Sequence, residues 1–271
     1  MLTTRDFLIR GLLAGLVAGF LTFGVAYFVG EPSVDAAIAL EESADDGAEE
    51  DEAAGHSHGE DEEAGHSHGD EEEGTEVSRG IQASLGLLTV TALLGAVLGG
   101  LAGVVTALGV GRLGRIGVRG TALSVAAAGF VVLYFVPYLI HPPNPPAVGS
   151  GDTIGERTGA YFTVLGISGV VAVLAVVAAS ALRNRVEGWY AGLAGIAGYV
   201  VVMTVVVATM PRLDEVGDFP GQLLFDFRIS SLLTALALYA FIGVIIAELG
   251  QRLVASTLPE TVEAKGDPVD D

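Results

Sequence analysis

The chain contains no cysteine. That excludes disulfides, thiolate metal sites and iron–sulfur clusters, and says nothing about compartment. Lysine is almost missing as well: Lys265 is the only one, against twelve arginines. A phosphate-binding P-loop needs Gly-x-x-x-x-Gly-Lys-Ser/Thr, because its lysine neutralises phosphate charge. Lys265 stands in a polar tail before Gly266 and Asp267, so no ATPase motif resides in this chain. There is no His-Glu-x-x-His zinc motif, and no Ser/His/Asp set has identifiable partners. The reading is of a protein that is not an enzyme and needs no resident cofactor.

Charge is absent from long stretches, and 51% of the residues are apolar. Six segments are each long enough to cross the membrane: 6–29, 81–109, 118–140, 161–182, 189–210 and 229–249. About 20 apolar residues suffice for roughly 30 Å of hydrocarbon. The fold class predicted is therefore all-α, a polytopic membrane bundle of about six transmembrane helices. It divides into 1–30 (the N-terminus and first helix), 31–80 (an acidic, His-rich external loop), 81–250 (five helices) and 251–271 (a cytoplasmic polar tail). The helix interiors hold no Asp, Glu, Lys or His. An acid at the bilayer centre costs roughly 2.5–3.5 kcal/mol and is kept only for a pathway or relay. A carboxylate proton relay inside this chain is thus disfavoured. A crossing metal would need water, backbone carbonyls, hydroxyls such as Thr89, Thr91 and Thr204, the thioethers of Met203 and Met210, or a partner's ligands.

The first segment has a basic start, yet its apolar run from Gly11 to Val29 exceeds a signal-peptide core, so a retained helix is expected. Gly11, Gly15 and Gly19 recur at four-residue spacing, a stripe that lets helix backbones approach closely. Gly95, Gly99 and Gly103 repeat the device, and Gly188, Gly192, Gly195 and Gly198 form a third stripe. These are packing features.

The net charge of −20 is concentrated. Residues 31–80 hold nineteen of the thirty-three acids and one base, Arg79. An acid-rich, lysine-poor composition suits a high-salt organism and points to an extreme halophile. With the N-terminus inside, nine basic residues face the cytoplasm and four (Arg79, Arg157, Arg212 and Arg228) face out. The positive-inside rule favours that orientation, with both termini cytoplasmic and the acidic loop external.

That loop contains a ten-residue near-repeat, DEAAGHSHGE at 51–60 and DEEAGHSHGD at 61–70. Four of the five histidines are here, as the pairs His56/His58 and His66/His68. Neutral imidazole is a borderline-soft ligand for divalent cobalt, nickel, copper and zinc, and carboxylates add hard oxygen donors. The loop reads as a metal-gathering arm; the alternative is a solvated, disordered spacer. In high salt, screening shortens to roughly 3 Å at 1 M. The arm must then act by direct contact, its histidines selecting against magnesium, which prefers oxygen and water.

A second unusual stretch follows the third segment. HPPNPPAVGSGDTIGERTGAY, from His141 to Tyr161, opens with four prolines in six residues. Proline fixes φ and removes the amide donor, so a stiff, extended crossing is predicted. Pro137 should kink the preceding helix end, and Asp152 can cap a short turn. Such backbone at a membrane boundary is tolerated where it lines a wet cavity or packs on protein. Candidate metal-site residues here are His141, Asn144 and Asp152. The crossing from Met210 to Arg228, with Asp214, Glu215, Asp218 and Asp226, adds Asp226. The alternative is that Arg157 and Arg228 merely pair with nearby acids and anchor helix ends.

The run VPYLIHPPNPPAVGSGDTIGERTGAYFTVL resembles the proline-rich signature of the CbtA family, described as predicted cobalt transporter subunits. DFPGQLLFDFRISSLLTALALY at 218–239 is similar to that family's segment before its last helix, and the His-rich loop after the first helix is similar too. His141 stands where the family has an aromatic residue, and the family is described with five spans against the six counted here. The resemblance implies a membrane subunit for cobalt uptake linked to cobalamin synthesis. It also implies a small single-span companion, CbtB, as partner, or a homo-oligomer, and no nucleic acid. Metal efflux or tolerance, and a non-transporting metal sensor or scaffold, are the alternatives. Affinities rise from cobalt through nickel to copper, so a flexible His/Asp/Glu loop does not by itself select cobalt.

Overall fold

The computed structural model describes residues 3–54, 78–113, 116–149, 151–210 and 216–257. Over these it is all-helical, and six helices are long and apolar enough to cross a membrane.

The first helix, α1 (Thr4–Val25), starts at a capping box. Thr3 Oγ1 accepts from the Asp6 amide, and Asp6 Oδ2 accepts from the Thr3 amide at 3.1 Å. The box satisfies donors that a helix start leaves orphaned. At Ala26–Gly30 the backbone widens by a π turn and then continues as α2 (Glu31–Ala54). The first part of the acidic stretch, 31–54, is thus helical. Two physical reasons apply. Ala and Glu are strong helix formers, and a wider turn just before Pro32 accommodates a residue with no amide donor. The histidine pairs, at 56–68, lie outside the described residues.

The chain returns through α3 (Arg79–Ile81), a second π turn and α4 (Leu87–Gly109). Helices α1 and α4 are antiparallel and meet along two glycine stripes. Gly11 faces Gly99 and Gly103, Gly15 faces Gly95, and Gly19 faces Thr91. A methyl on any of these glycines would fall inside van der Waals contact with the opposing backbone. In lipid, where tails are as apolar as side chains, such close backbone approach is a main source of helix association.

Helix α5 (Gly117–Phe130) passes through a third π turn, Val131–Phe135, into α6 (Val136–Ile140). The π turn sits immediately before Pro137, as the one before Pro32 does. Helix α9 (Gly221–Thr257) packs on α1 and α5, burying Ala14, Ala18, Ala122, Leu238 and Ile242 together. Phe7, Val118 and Leu253 close the bundle at the opposite end from Pro137.

Helices α7 (Ile154–Leu182) and α8 (Gly188–Thr209) form a hairpin beside this core. The helix of the fourth span therefore begins at Ile154, earlier than the apolar run alone suggests. Gly195 packs on Ala175 and Ala179, joining the two arms. A polar tether within the span docks the hairpin: Ser168 Oγ donates to the Val132 carbonyl at 2.8 Å and lies 2.8 Å from the Tyr199 hydroxyl. Val132 lies in the third π turn. Such a turn breaks the regular i→i−4 ladder and frees carbonyls for other donors.

Basic residues segregate by end. Arg119 and Arg252 both reach Glu248 at 2.9 Å, and Arg183 donates to the Arg112 carbonyl. Arg79, Arg157 and Arg228 lie at the other end, which also carries Pro32, Pro137 and the proline crossing.

Candidate functional site

The proline crossing shapes the proline end of the bundle. Residues 142–145 carry no regular secondary structure, and proline fixes φ along most of them. A turn follows in which the Val148 amide donates to the Pro145 carbonyl at 3.3 Å. Ala147 occupies its third position at a φ of 67°. That left-handed conformation costs a residue with a Cβ about 1–2 kcal/mol, so the surrounding contacts hold the crossing in a strained shape.

Beneath the crossing lies an outer cavity of about 790 Å³. It is lined by the crossing, the start of α7 and the first turns of α9, with His141, Asn144, Arg157, Arg228, Tyr138 and Thr158 among its walls. Asn144 Oδ1 accepts from Arg228 Nη2 at 2.9 Å, and the Pro143 carbonyl accepts from Arg228 Nε at 3.4 Å. The Tyr138 hydroxyl donates to the Arg228 carbonyl at 3.2 Å. The crossing thus holds Arg228 in a fixed pose. His141 Nε2 is buried without a hydrogen-bond partner among the described residues. Burial holds the imidazole pKa below its ordinary value, so the ring is neutral near pH 7.

Below it lies an inner cavity of about 540 Å³. The two share Tyr134, from the third π turn, and Tyr161, from α7, as common walls. The inner lining is mostly aliphatic, with hydroxyls from Thr22, Thr91, Ser230 and Thr234 and the carboxylate of Glu31. The Thr22 hydroxyl is buried with no hydrogen-bond partner among the described residues. Thr22 lies nine residues before Glu31, so the cavity reaches about 13 Å along α1 at 1.5 Å per residue. That is roughly half of a bilayer's hydrocarbon.

Glu31 is 14% exposed and ion-paired to Arg79, which also reaches Asp35 at 2.8 Å. Ser33 Oγ lies 3.3 Å from Ser230 Oγ, joining α2 to α9 at this level. Sequence reasoning passed over this cluster. Its signal was present: Arg79 is the single base among the acids of 31–80. Tyr134 and Tyr161 were also missed, since aromatic residues near helix ends look like ordinary interfacial anchors.

Of the candidate metal-site residues, the structure brings His141 and Asn144 to one cavity. Asp152 and Asp226 are exposed and do not line it; Asp226 accepts from Gln222 at 2.9 Å, one helical turn away. His56, His58, His66 and His68 lie outside the described residues. Among the described residues no three His, Asp or Glu side chains cluster as a metal-ligand set. The outer cavity carries two guanidiniums and, among the described residues, no carboxylate. A divalent cation 8 Å from one guanidinium is opposed by roughly 4 kcal/mol at an effective dielectric near 20.

Six long apolar helices, with a glycine-packed pair among them, define a multi-pass helical membrane protein. The family model for the probable cobalt transporter subunit CbtA matches residues 4–251, and the chain belongs to that family. The family is one of transporter subunits and not of enzymes. No curated protein and no solved structure matches the chain.

Proposed function

We propose that this chain is the membrane subunit of a cobalt uptake system, with nickel the alternative cargo. Both termini face the cytoplasm and the proline end faces out. The acidic arm carrying His56, His58, His66 and His68 gathers metal there and passes it to the outer cavity. A small single-span companion of the CbtB kind, or a second copy, completes the transporter.

The observation that carries this reading is the series arrangement of the two cavities. They share Tyr134 and Tyr161 as walls and their linings run from the crossing to Thr22, while Phe7, Val118 and Leu253 pack the far end. A half-channel closed at one end is what alternating access requires of a resting state. Under the proposed orientation, that state opens outward. A second reading, a metal sensor or scaffold that does not transport, is favoured by the lack of a ligand cluster among the described residues.

Uptake of labelled cobalt and nickel in a deletion strain complemented with this chain separates the two. Uptake above background supports the transporter; none, with or without a companion, supports the scaffold. Cysteines at Ser57 and Ser180 should label from opposite sides of the intact cell, and labelling of both by an impermeant reagent would remove the topology. Replacing the four loop histidines together should weaken uptake at scarce cobalt and leave the maximal rate intact. An unchanged concentration dependence would make the arm a spacer.

A further inference from the structure

The outer cavity presents the Arg228 guanidinium, bonded among the described residues to neutral oxygens, which is a poor wall for a bare cation. Its described walls carry Arg157 and Arg228 and no carboxylate. Its size leaves room for more than a hydrated ion. A hexahydrated ion takes up roughly 200 Å³ at about 30 Å³ per water, against a cavity of about 790 Å³. That volume falls in the range of sites for small organic ligands.

We propose that the outer cavity binds a small polycarboxylate anion, and that cobalt enters it as the anionic chelate and not as the aqua ion. The cargo in this statement rests on the uptake reading above; the anion site does not. Three features assign the chemistry. The Arg228 guanidinium has five N–H donors, of which two are engaged, by Pro143 and Asn144. The remainder form a preset fork of the kind that recognises carboxylates. Those two engagements are to neutral oxygens, so the guanidinium's charge is not cancelled by them. The third feature is His141, whose buried Nε2 has no partner among the described residues and lines the same cavity. Neutral imidazole is a ligand for cobalt. In the step proposed, one water leaves the chelated cobalt and the Nε2 lone pair takes its place, with no change in charge or oxidation state. Arg228 holds a carboxylate, and the imidazole tests for the metal.

The test uses the full-length chain in nanodiscs of zwitterionic lipid, with the four loop histidines replaced by alanine so that the arm does not retain the label. The probes are radiolabelled citrate alone, radiolabelled cobalt chloride alone, and the equimolar cobalt–citrate complex. Citrate and cobalt labels should be retained together in equal amounts, and cobalt alone far less. Arg228→Gln should weaken retention of the complex by about tenfold or more, the usual scale for a lost hydrogen bond to a charged group. Arg228→Lys should fall between. His141→Gln should remove the gain that cobalt gives while leaving citrate-alone binding within about twofold of the parent. Arg157→Gln is the second variant should Arg228→Gln fail to accumulate.

Equal retention of cobalt with and without citrate overturns the proposal. So does unchanged binding in both arginine variants. Loss of citrate binding on adding phosphatidylglycerol to the nanodiscs overturns it as well, making the cavity a seat for a lipid headgroup. The two readings fail separately. Citrate binding with no cobalt uptake in cells leaves the anion site and removes the uptake reading. Cobalt uptake that is indifferent to citrate, by a chain that retains no citrate, does the reverse.

Discussion

The two halves of the bundle are built on opposite principles. In α1 and α4, glycines meet glycines and the backbones touch; in α7 and α8, valines point to lipid. The most apolar windows of the first span and the last are each 33% buried, against 11% for the span formed by α7. Val170, Val173, Val176 and Val177 are all exposed. Small residues bring backbones within reach and fix a wall, whereas β-branched residues facing lipid leave a helix pair held by few contacts. Both cavities lie on the seam between the halves. Tyr134 belongs to the core and Tyr161 to the hairpin, so the partition between the cavities has one wall on each. A shift of the hairpin changes the partition; a shift inside the core would have to break the glycine contacts first.

The sharpest way to break this contrast is to insert the same side chain on both sides. Gly15→Leu forces α1 off the Gly95 backbone, where only backbone movement relieves the clash. Overpacking commonly costs 1–3 kcal/mol; with backbone as the obstacle, more than about 3 kcal/mol is expected here, enough to remove most folded protein from the membrane. Gly192→Leu in α8 meets nothing within 4 Å and should accumulate normally. Membrane abundance and unfolding temperature in detergent read both, and equal losses would erase the distinction.

The second test loosens the hairpin without touching the glycine contacts. Ser168→Ala removes the tether to the Val132 carbonyl and the Tyr199 hydroxyl, leaving a carbonyl of the third π turn without that donor. Hydrogen bonds between membrane helices average about 0.6 kcal/mol and reach about 1.7, so a loss of about 1–2 kcal/mol is expected. Hydrogen exchange should rise in α7 and α8 and stay unchanged along α1 and α4. A uniform rise would show that the molecule opens as one unit.

What could be read beforehand follows the same division. The glycine stripes of α1 and α4 were legible because packing in lipid rests on residue size, which the chain states openly. The six spans were legible because hydrocarbon thickness sets their length. The helix over 31–54 was not, because net acidity masked the helix propensity of its Ala and Glu residues. His141 and Asn144, which both line the outer cavity, were singled out from local chemistry. The partnership of Arg228 with Asn144 was not, since it joins positions 84 residues apart that only the fold brings together. Arg228 looked like a helix-end anchor, and nothing local said which way it faced.

The smallest expected difference compares two polar residues at the proline end, one inside the cavity and one outside. Asn144→Ala leaves Arg228 Nη2 without its acceptor in a part-buried setting. The stability cost is about 1 kcal/mol, but the guanidinium also loses its pose, so cobalt uptake should fall severalfold. Asp226 is exposed on α9 and bonded to Gln222 across a single turn. Pairs of that kind contribute about 0.2–0.5 kcal/mol, so Asp226→Ala should change stability barely and uptake less than Asn144→Ala does. Initial rates of labelled cobalt entry, normalised to protein in the membrane, rank the two. If Asp226→Ala proved the more damaging, the cargo's route would run over the outer face of α9, and the cavity on the seam would lose its claim to it.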